Sequence, residues 1–233
     1  MIKVNSLIRM LRKNNCSFFT GVPDSVLKEL SSTLQNKSKK THVIASNEGS
    51  AVSLGIGYYL ATKKLSCVYM QNSGLSNALN PLISIAHKKV YSIPLVLIIG
   101  WRGSPKIKDE PQHNAKGQIT KQILKLLGIK FTILRSKIDL RKFEKQIKYA
   151  KKNKSAVACL IENGTLEKNK KNKVLKKDFY KLDKGLFLKT LIENIPQKSK
   201  IISSTGYNSR ELMYLRDKYK LNNGKDFYMV GGM

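Results

Sequence analysis

The sequence predicts an α/β fold: a parallel sheet with helices on both faces, followed by the start of a second α/β domain. Three observations carry this. Short β-rich runs alternate with amphipathic helical stretches along the first two thirds of the 233 residues. Several of those runs end in Gly, Ser, Asn or Pro, where the chain turns into the next element. After a dense Lys/Asn run a second β/α alternation begins. In such folds ligands bind outside the carboxyl ends of strands, so the segments of interest are GVPDS, ASNEGS, QNSGLSN and GWRGSPKIKDEPQHNAKG.

The amino-terminal MIKVNSLIRMLRKNN has helical amphipathic spacing and lacks the uninterrupted apolar stretch of a signal peptide. SFFTGVP and THVIAS are strand candidates. ASNEGSAVSLGIGYYLATKK, residues 45–64, reads as a helix capped by Ser46 or Asn47, with Glu48 where the helix dipole favours a carboxylate. Gly49, Gly55 and Gly57 inside that helix each cost about 1 kcal/mol relative to Ala. Such a density of small residues suits a helix packed tightly against a partner, with Glu48 at the interface. The GIG pair is no dinucleotide fingerprint, since it lies within the helix and lacks a third Gly.

SCVYMQNSG is the next strand, and QNSGLSNALNPL opens a helix with amide and hydroxyl groups at its start, which suits a cap as well as a ligand contact. IPLVLIIG is too short an apolar run to span a bilayer. Residues 101–117 read as one long loop carrying Arg102, Lys108, Asp109, Glu110 and His113; loops of that length inside a compact unit are usually functional or disordered. KFTILR and AVACLIENG complete the strands. We place the first domain at 1–164, a Lys-rich linker at 165–180, and the beginning of a second domain at 181–233, with KIISSTG and DFYMVGGM as its strands.

Forty-four Lys and Arg against 15 Asp and Glu give a formal net charge of +29, which suits a polyanion such as nucleic acid. The charge is nearly all Lys and scattered, whereas base readout and bidentate phosphate contacts favour Arg. A composition bias on solvated surfaces is therefore the expected reading, with no nucleic-acid or membrane partner; a noncatalytic polyanion-binding protein is the rival. The three cysteines, Cys16, Cys67 and Cys159, have no zinc spacing, and Cys67 and Cys159 lie in apolar strand segments. They read as buried thiols in a reducing, cytoplasmic compartment.

FFTGVPDSVLKEL, ASNEGSAVSLGIGYYLAT, YMQNSGLSNALNPL and GWRGSPKIKDEPQHNAKGQIT, in that order, resemble the amino-terminal, pyrimidine-binding domain of thiamine diphosphate-dependent decarboxylases. The resemblance is to the branch acting on phosphonopyruvate, with the sulfopyruvate decarboxylases close by. SSTGYNSRELM and DFYMVGGM resemble the start of that family's diphosphate-binding domain.

The resemblance implies decarboxylation of an anionic 2-oxo acid, 3-phosphonopyruvate to phosphonoacetaldehyde and CO2, via a thiamine diphosphate ylid; sulfopyruvate is the alternative substrate. It makes Glu48 the carboxylate that hydrogen-bonds the aminopyrimidine N1′ and favours the imino tautomer. Burial there would disfavour its ionised form. Asp24 and His113 match acid/base positions. Gln71, Asn72 and Ser73 are expected at the cofactor; Arg102 and Lys108, cations on one loop, are expected at the substrate's anion. Thr205, Gly206, Gly231 and Gly232 would line the diphosphate through backbone N–H groups. The family's Gly-Asp-Gly magnesium motif is not in this sequence, so no metal ligand is assigned here and Mg2+ is expected to be held beyond residue 233. A fragment of a longer enzyme is the favoured explanation, and a split enzyme completed by another chain the alternative. At least a dimer is expected, because related enzymes build the site across a subunit interface.

Overall fold

The computed structural model describes residues 1–35, 37–105, 107–168, 182–196, 198–204, 206–220 and 226–229. The chain divides into two compact units, Met1–Lys170 and Lys171–Met233.

The first unit is a six-stranded, all-parallel sheet. Its strands are β1 (Cys16–Gly21), β2 (His42–Ile44), β3 (Leu65–Gln71), β4 (Val96–Gly100), β5 (Lys130–Leu134) and β6 (Val157–Ile161), in the spatial order β2-β1-β3-β4-β6-β5. The helices are α1 (Val4–Lys13), α2 (Lys28–Gln35), α3 (Glu48–Thr62), α4 (Leu75–Pro81), α5 (Pro111–Leu126) and α6 (Lys137–Asn153).

Strand periodicity divides the core in two. Cys67, Tyr69, Val96, Ile98, Val157 and Cys159 face one way and pack with α1, α2 and α6 through Leu7, Leu11, Leu30, Leu34, Phe143 and Ile147. Their neighbours Val68, Met70, Leu97, Ile99, Ala158 and Leu160 face the other way, onto Val52 and Ile56 of α3, Leu75 and Ala78 of α4 and Leu124 of α5. Strands buried on both faces need helices on both faces. The three cysteines are free and buried, as expected. Burial raises the thiol pKa values of Cys67 and Cys159, which disfavours the reactive thiolate.

Two of the three helix glycines on α3 are explained within the chain. A β-carbon on Gly55 would lie 2.8 Å from Ser66 Oγ and 2.9 Å from a Val68 methyl, so Gly55 lets α3 settle on β3. One on Gly49 would lie 2.9 Å from the Asn77 carbonyl oxygen of α4. Gly57 meets nothing within 4 Å and faces the open side of α3.

Two expectations are corrected. Thr165–Glu167, placed in the linker, are fastened to the first unit: Ile2 N donates to Thr165 O and Glu167 N to Ile2 O, each at 2.9 Å. Most of the remaining linker lies outside the described residues. The loop expected over 101–117 ends at Glu110, because Pro111 opens α5 at its first turn, where proline's missing N–H and fixed φ are tolerated.

The second unit contains α7 (Lys184–Asn194), β7 (Ile202–Ser203), α8 (Tyr207–Lys218) and β8 (Phe227–Tyr228), with β7 and β8 parallel. Its small core gathers Ile192, Leu212 and Leu215. Arg216 Nε donates to Asp226 Oδ2 at 2.7 Å in a buried pair.

Candidate active site

The chain leaves β1 for β2 on one side and then reaches β3 on the other, so the topological switch falls at the carboxyl ends of β1 and β3. The β1–α2, β2–α3, β3–α4 and β4–α5 connections bring their polar residues to that edge.

Glu48 is the first residue of α3. Asn47 is the cap, its side chain accepting from Ser50 N at 2.8 Å, which decides between the two cap candidates. The half-buried Glu48 carboxylate crosses to the next connection. Oε2 accepts from Asn77 Nδ2 at 3.0 Å, and a β-carbon on Gly74 would stand 2.1 Å from Oε1. Oε1 accepts no hydrogen bond among the described residues. Beside it runs an open groove of about 1020 Å³ between α3 and α4, lined by Gly49, Ser53, Gly57, Tyr58, Asn77 and Ser84 among others.

Asp24 is buried at the end of β1. Oδ2 accepts from Val26 N at 3.1 Å and Leu27 N at 3.2 Å, and Oδ1 from Gln71 Nε2 at 2.6 Å. Gln71 Oε1 in turn accepts from Ser73 Oγ at 2.7 Å. Asp24, Gln71 and Ser73 thus form one relay joining the ends of β1 and β3. Three of the roughly four acceptor positions of the Asp24 carboxylate are filled, so it braces this edge as much as it offers a proton acceptor.

Asn72, expected at the cofactor, is hydrogen-bonded within the chain. Its Nδ2 donates to Arg102 O at 3.0 Å and Thr120 Oγ1 at 2.9 Å, while its Oδ1 accepts from Arg102 N at 3.0 Å. The buried amide ties the β3–α4 turn to the β4–α5 connection and to α5, with both Nδ2 hydrogens and one Oδ1 lone pair used within the chain.

Arg102 is likewise not a free cation. Nε donates to Asp109 Oδ2 at 2.6 Å and Nη2 donates to Oδ1, a bidentate pair. Asp109 also accepts from Gly103 N and Glu110 N, each at 2.9 Å. The Arg102 hydrogen bonds hold the Asp109 carboxyl well below the usual carboxylate range. Lys108 is exposed and forms no ion pair among the described residues.

His113 lies in the first turn of α5, half-buried, with Nδ1 enclosed and without a hydrogen-bond partner among the described residues. Burial, and then the neighbouring Arg102 charge, lower its pKa, so the imidazole is neutral at pH 7. Among the described residues Glu48 shares no hydrogen bond with Asp24 or His113. Those two belong with the Arg102 cluster, which feels the charges of both Asp24 and Asp109. Gly206 caps α8 at φ +94°, a conformation that favours glycine. Thr205, Gly231 and Gly232 lie outside the described residues.

Asn77, Gly74 and Asp109 are the residues sequence reasoning missed as site elements. Asn77 and Gly74 stand in the quoted GLSN segment, but their contact with Glu48 joins positions far apart in sequence. No group of three metal-ligating side chains occurs among the described residues, and no described helix is long and apolar enough to cross a membrane.

The arrangement at Glu48 fits a protonated ring nitrogen. One carboxylate oxygen is anchored by Asn77 and the other accepts no hydrogen bond among the described residues, next to a glycine that leaves it room.

The profile of the family described as thiamine pyrophosphate enzyme, N-terminal TPP binding domain, matches residues 3–124. Phosphonopyruvate decarboxylase of Streptomyces viridochromogenes is 29% identical over 249 aligned residues, covering 100% of this chain and 61% of that protein. Sulfopyruvate decarboxylase subunit alpha of Methanococcus maripaludis is 32% identical over 126 residues, covering 54% of this chain and 73% of the relative. The chain spans about three fifths of the length of the phosphonopyruvate decarboxylases it matches. Among solved structures, benzoylformate decarboxylase of Polynucleobacter necessarius shares the fold, with a TM-score of 0.52 at 16% identity over 90% of this chain and 40% of that one.

Proposed function

The chain belongs to the thiamine pyrophosphate enzymes, whose N-terminal TPP-binding domain it carries, and on that premise we propose that it forms the pyrimidine-binding part of a decarboxylase acting on 3-phosphonopyruvate. The observation that carries the proposal is Glu48, anchored through Oε2 by Asn77, with Oε1 beside Gly74 accepting no hydrogen bond among the described residues. The match of the phosphonopyruvate decarboxylase of S. viridochromogenes along the whole chain supports the substrate class.

Bound thiamine diphosphate supplies a carbon nucleophile and an electron sink for the pair released when the carboxylate leaves as CO2. The chain's own residues do the rest. Glu48 would hold the cofactor through a hydrogen bond between Oε1 and the pyrimidine N1′. The neutral His113 imidazole has a free nitrogen with which to take up or return a proton near the substrate. Asp24, Gln71 and Ser73 fix the edge on which these groups stand, and Lys108 and Arg102 meet the anion. In balance, one carbon–carbon bond of the 2-oxo acid breaks, CO2 leaves, and one proton is added to give the aldehyde.

In this reading Gly206 would contribute backbone to the diphosphate, and no described residue is assigned to Mg2+. The open groove beside Glu48 is the surface that a second subunit, either another copy or a complementing chain, covers. The test is CO2 release by the full polypeptide, supplied with thiamine diphosphate and Mg2+, from phosphonopyruvate and sulfopyruvate in parallel. Faster release from phosphonopyruvate supports the proposal; preference for sulfopyruvate transfers it to that substrate; release from neither refutes it.

A further inference from the structure

Ser25, Arg102, Lys108, Asp109 and Asn163 border a pocket of about 330 Å³ at the carboxyl ends of β1, β4 and β6. Its charges are not equivalent. Arg102 is held from three sides: Asp109 takes its Nε and Nη2, Asn72 Oδ1 accepts from its backbone N, and Nη1 reaches Ser25 Oγ at 3.3 Å. Asp109 is itself fixed by the Gly103 and Glu110 backbone N–H groups, so the pair is a rigid unit, not a casual surface contact. Lys108, by contrast, has no such partner among the described residues. Among the described lining residues, two cations stand against one carboxylate.

We infer that this pocket is the subsite for the tetrahedral oxyanion of the substrate, with Lys108 as its charged contact, Arg102 Nη1 and Ser25 as oriented donors, and Asp109 as the positioning residue that also sets the subsite's charge. The inference rests on the decarboxylase reading for the identity of the substrate, and on the pocket alone for its preference for an oxyanion. Asp109 thereby becomes a specificity residue. A sulfonate carries one negative charge, whereas a phosphonate takes up a second near neutral pH, so a change of one unit in pocket charge acts on the two anions unequally. Asp109→Asn removes a negative charge and should favour the dianion.

The test uses unreactive probes, phosphonoacetate and sulfoacetate, titrated calorimetrically into the full polypeptide loaded with thiamine diphosphate and Mg2+. Lys108→Ala is expected to weaken both by about tenfold, the loss of one charge-assisted contact. Asp109→Asn loosens Arg102 for both probes, but their affinity ratio cancels that common loss and should move toward phosphonoacetate by about threefold or more. Wild-type affinities in Lys108→Ala, or an unmoved ratio in Asp109→Asn, would overturn the assignment. The two readings fail separately. Probe binding that depends on Lys108 in a protein releasing no CO2 keeps the subsite and removes the decarboxylase; CO2 release undiminished by Lys108→Ala does the reverse.

Discussion

The Glu48 carboxylate rests against the backbone of Gly74, where a β-carbon would come within 2.1 Å of Oε1, while Asn77 holds the other oxygen at 3.0 Å. Backbone room at 74 therefore determines where the carboxylate stands. Gly74→Ala must displace it, and a displacement of about 1 Å at a reacting group costs on the order of 100-fold in rate. We expect turnover by that variant to fall by about that factor while the fold survives, as judged by circular dichroism. Undiminished turnover would mean that Glu48 does not depend on this contact.

Asp24 joins the ends of β1 and β3. Asp24→Ala removes the acceptor of Val26 N, Leu27 N and Gln71 Nε2, and leaving buried donors unpaired costs about 1–3 kcal/mol. A lowered denaturation midpoint is expected, with Asp24→Asn intermediate because one carboxamide oxygen still accepts. A midpoint equal to wild type in Asp24→Ala would remove the bracing role.

Buried His42, hydrogen-bonded through Nε2 to Tyr69 Oη at 2.8 Å, has its pKa lowered by burial. Unfolding restores a group that takes up a proton near pH 6.5, so below about that pH the unfolded chain binds more protons than the folded one and stability rises with pH. Acidification from about pH 7 to pH 5 should lower the urea midpoint, and His42→Gln should reduce that slope. An unchanged slope would assign the titration elsewhere; His113, also lowered, is the first alternative.

Asp109 behaves oppositely in window though not in sign. Its folded pKa is depressed by Arg102, so its stabilising pair is fully present above the unfolded carboxyl pKa of about 3.9 and is lost as pH falls below that. Acid unfolding of Asp109→Asn should show a weaker pH dependence below about pH 4 than wild type. Parallel curves would show that the pair contributes no linkage.

Much of this was legible in the chain. Strand runs such as SCVYM and PLVLIIG announce a sheet buried on both faces, and Asn47-Glu48 announces a capped helix start carrying a carboxylate. What failed was local. DEPQHNAKG reads as part of one long loop, yet Glu110-Pro111 is a helix-start signal within it. Gly117 permits a close approach: a β-carbon on it would lie 1.7 Å from the Gly103 carbonyl oxygen, so the connection after β4 crosses α5 at that point. The Arg102–Asp109 pair and the use of Asn72 as a tie were illegible because they depend on side-chain direction. Both joined residues that composition presented simply as polar groups at strand ends.

The role we propose for Glu48 is to serve the cofactor's pyrimidine. The measurement that tests it most directly is the turnover of Glu48→Gln in the full polypeptide, with bound thiamine diphosphate quantified in the same sample. Glutamine preserves the shape but cannot accept and hold the N1′ proton as a carboxylate does, and loss of a positioned proton-handling group costs about 10²–10⁴ in rate. The account predicts a fall of at least about 100-fold at full cofactor occupancy. Wild-type turnover at that occupancy would contradict it.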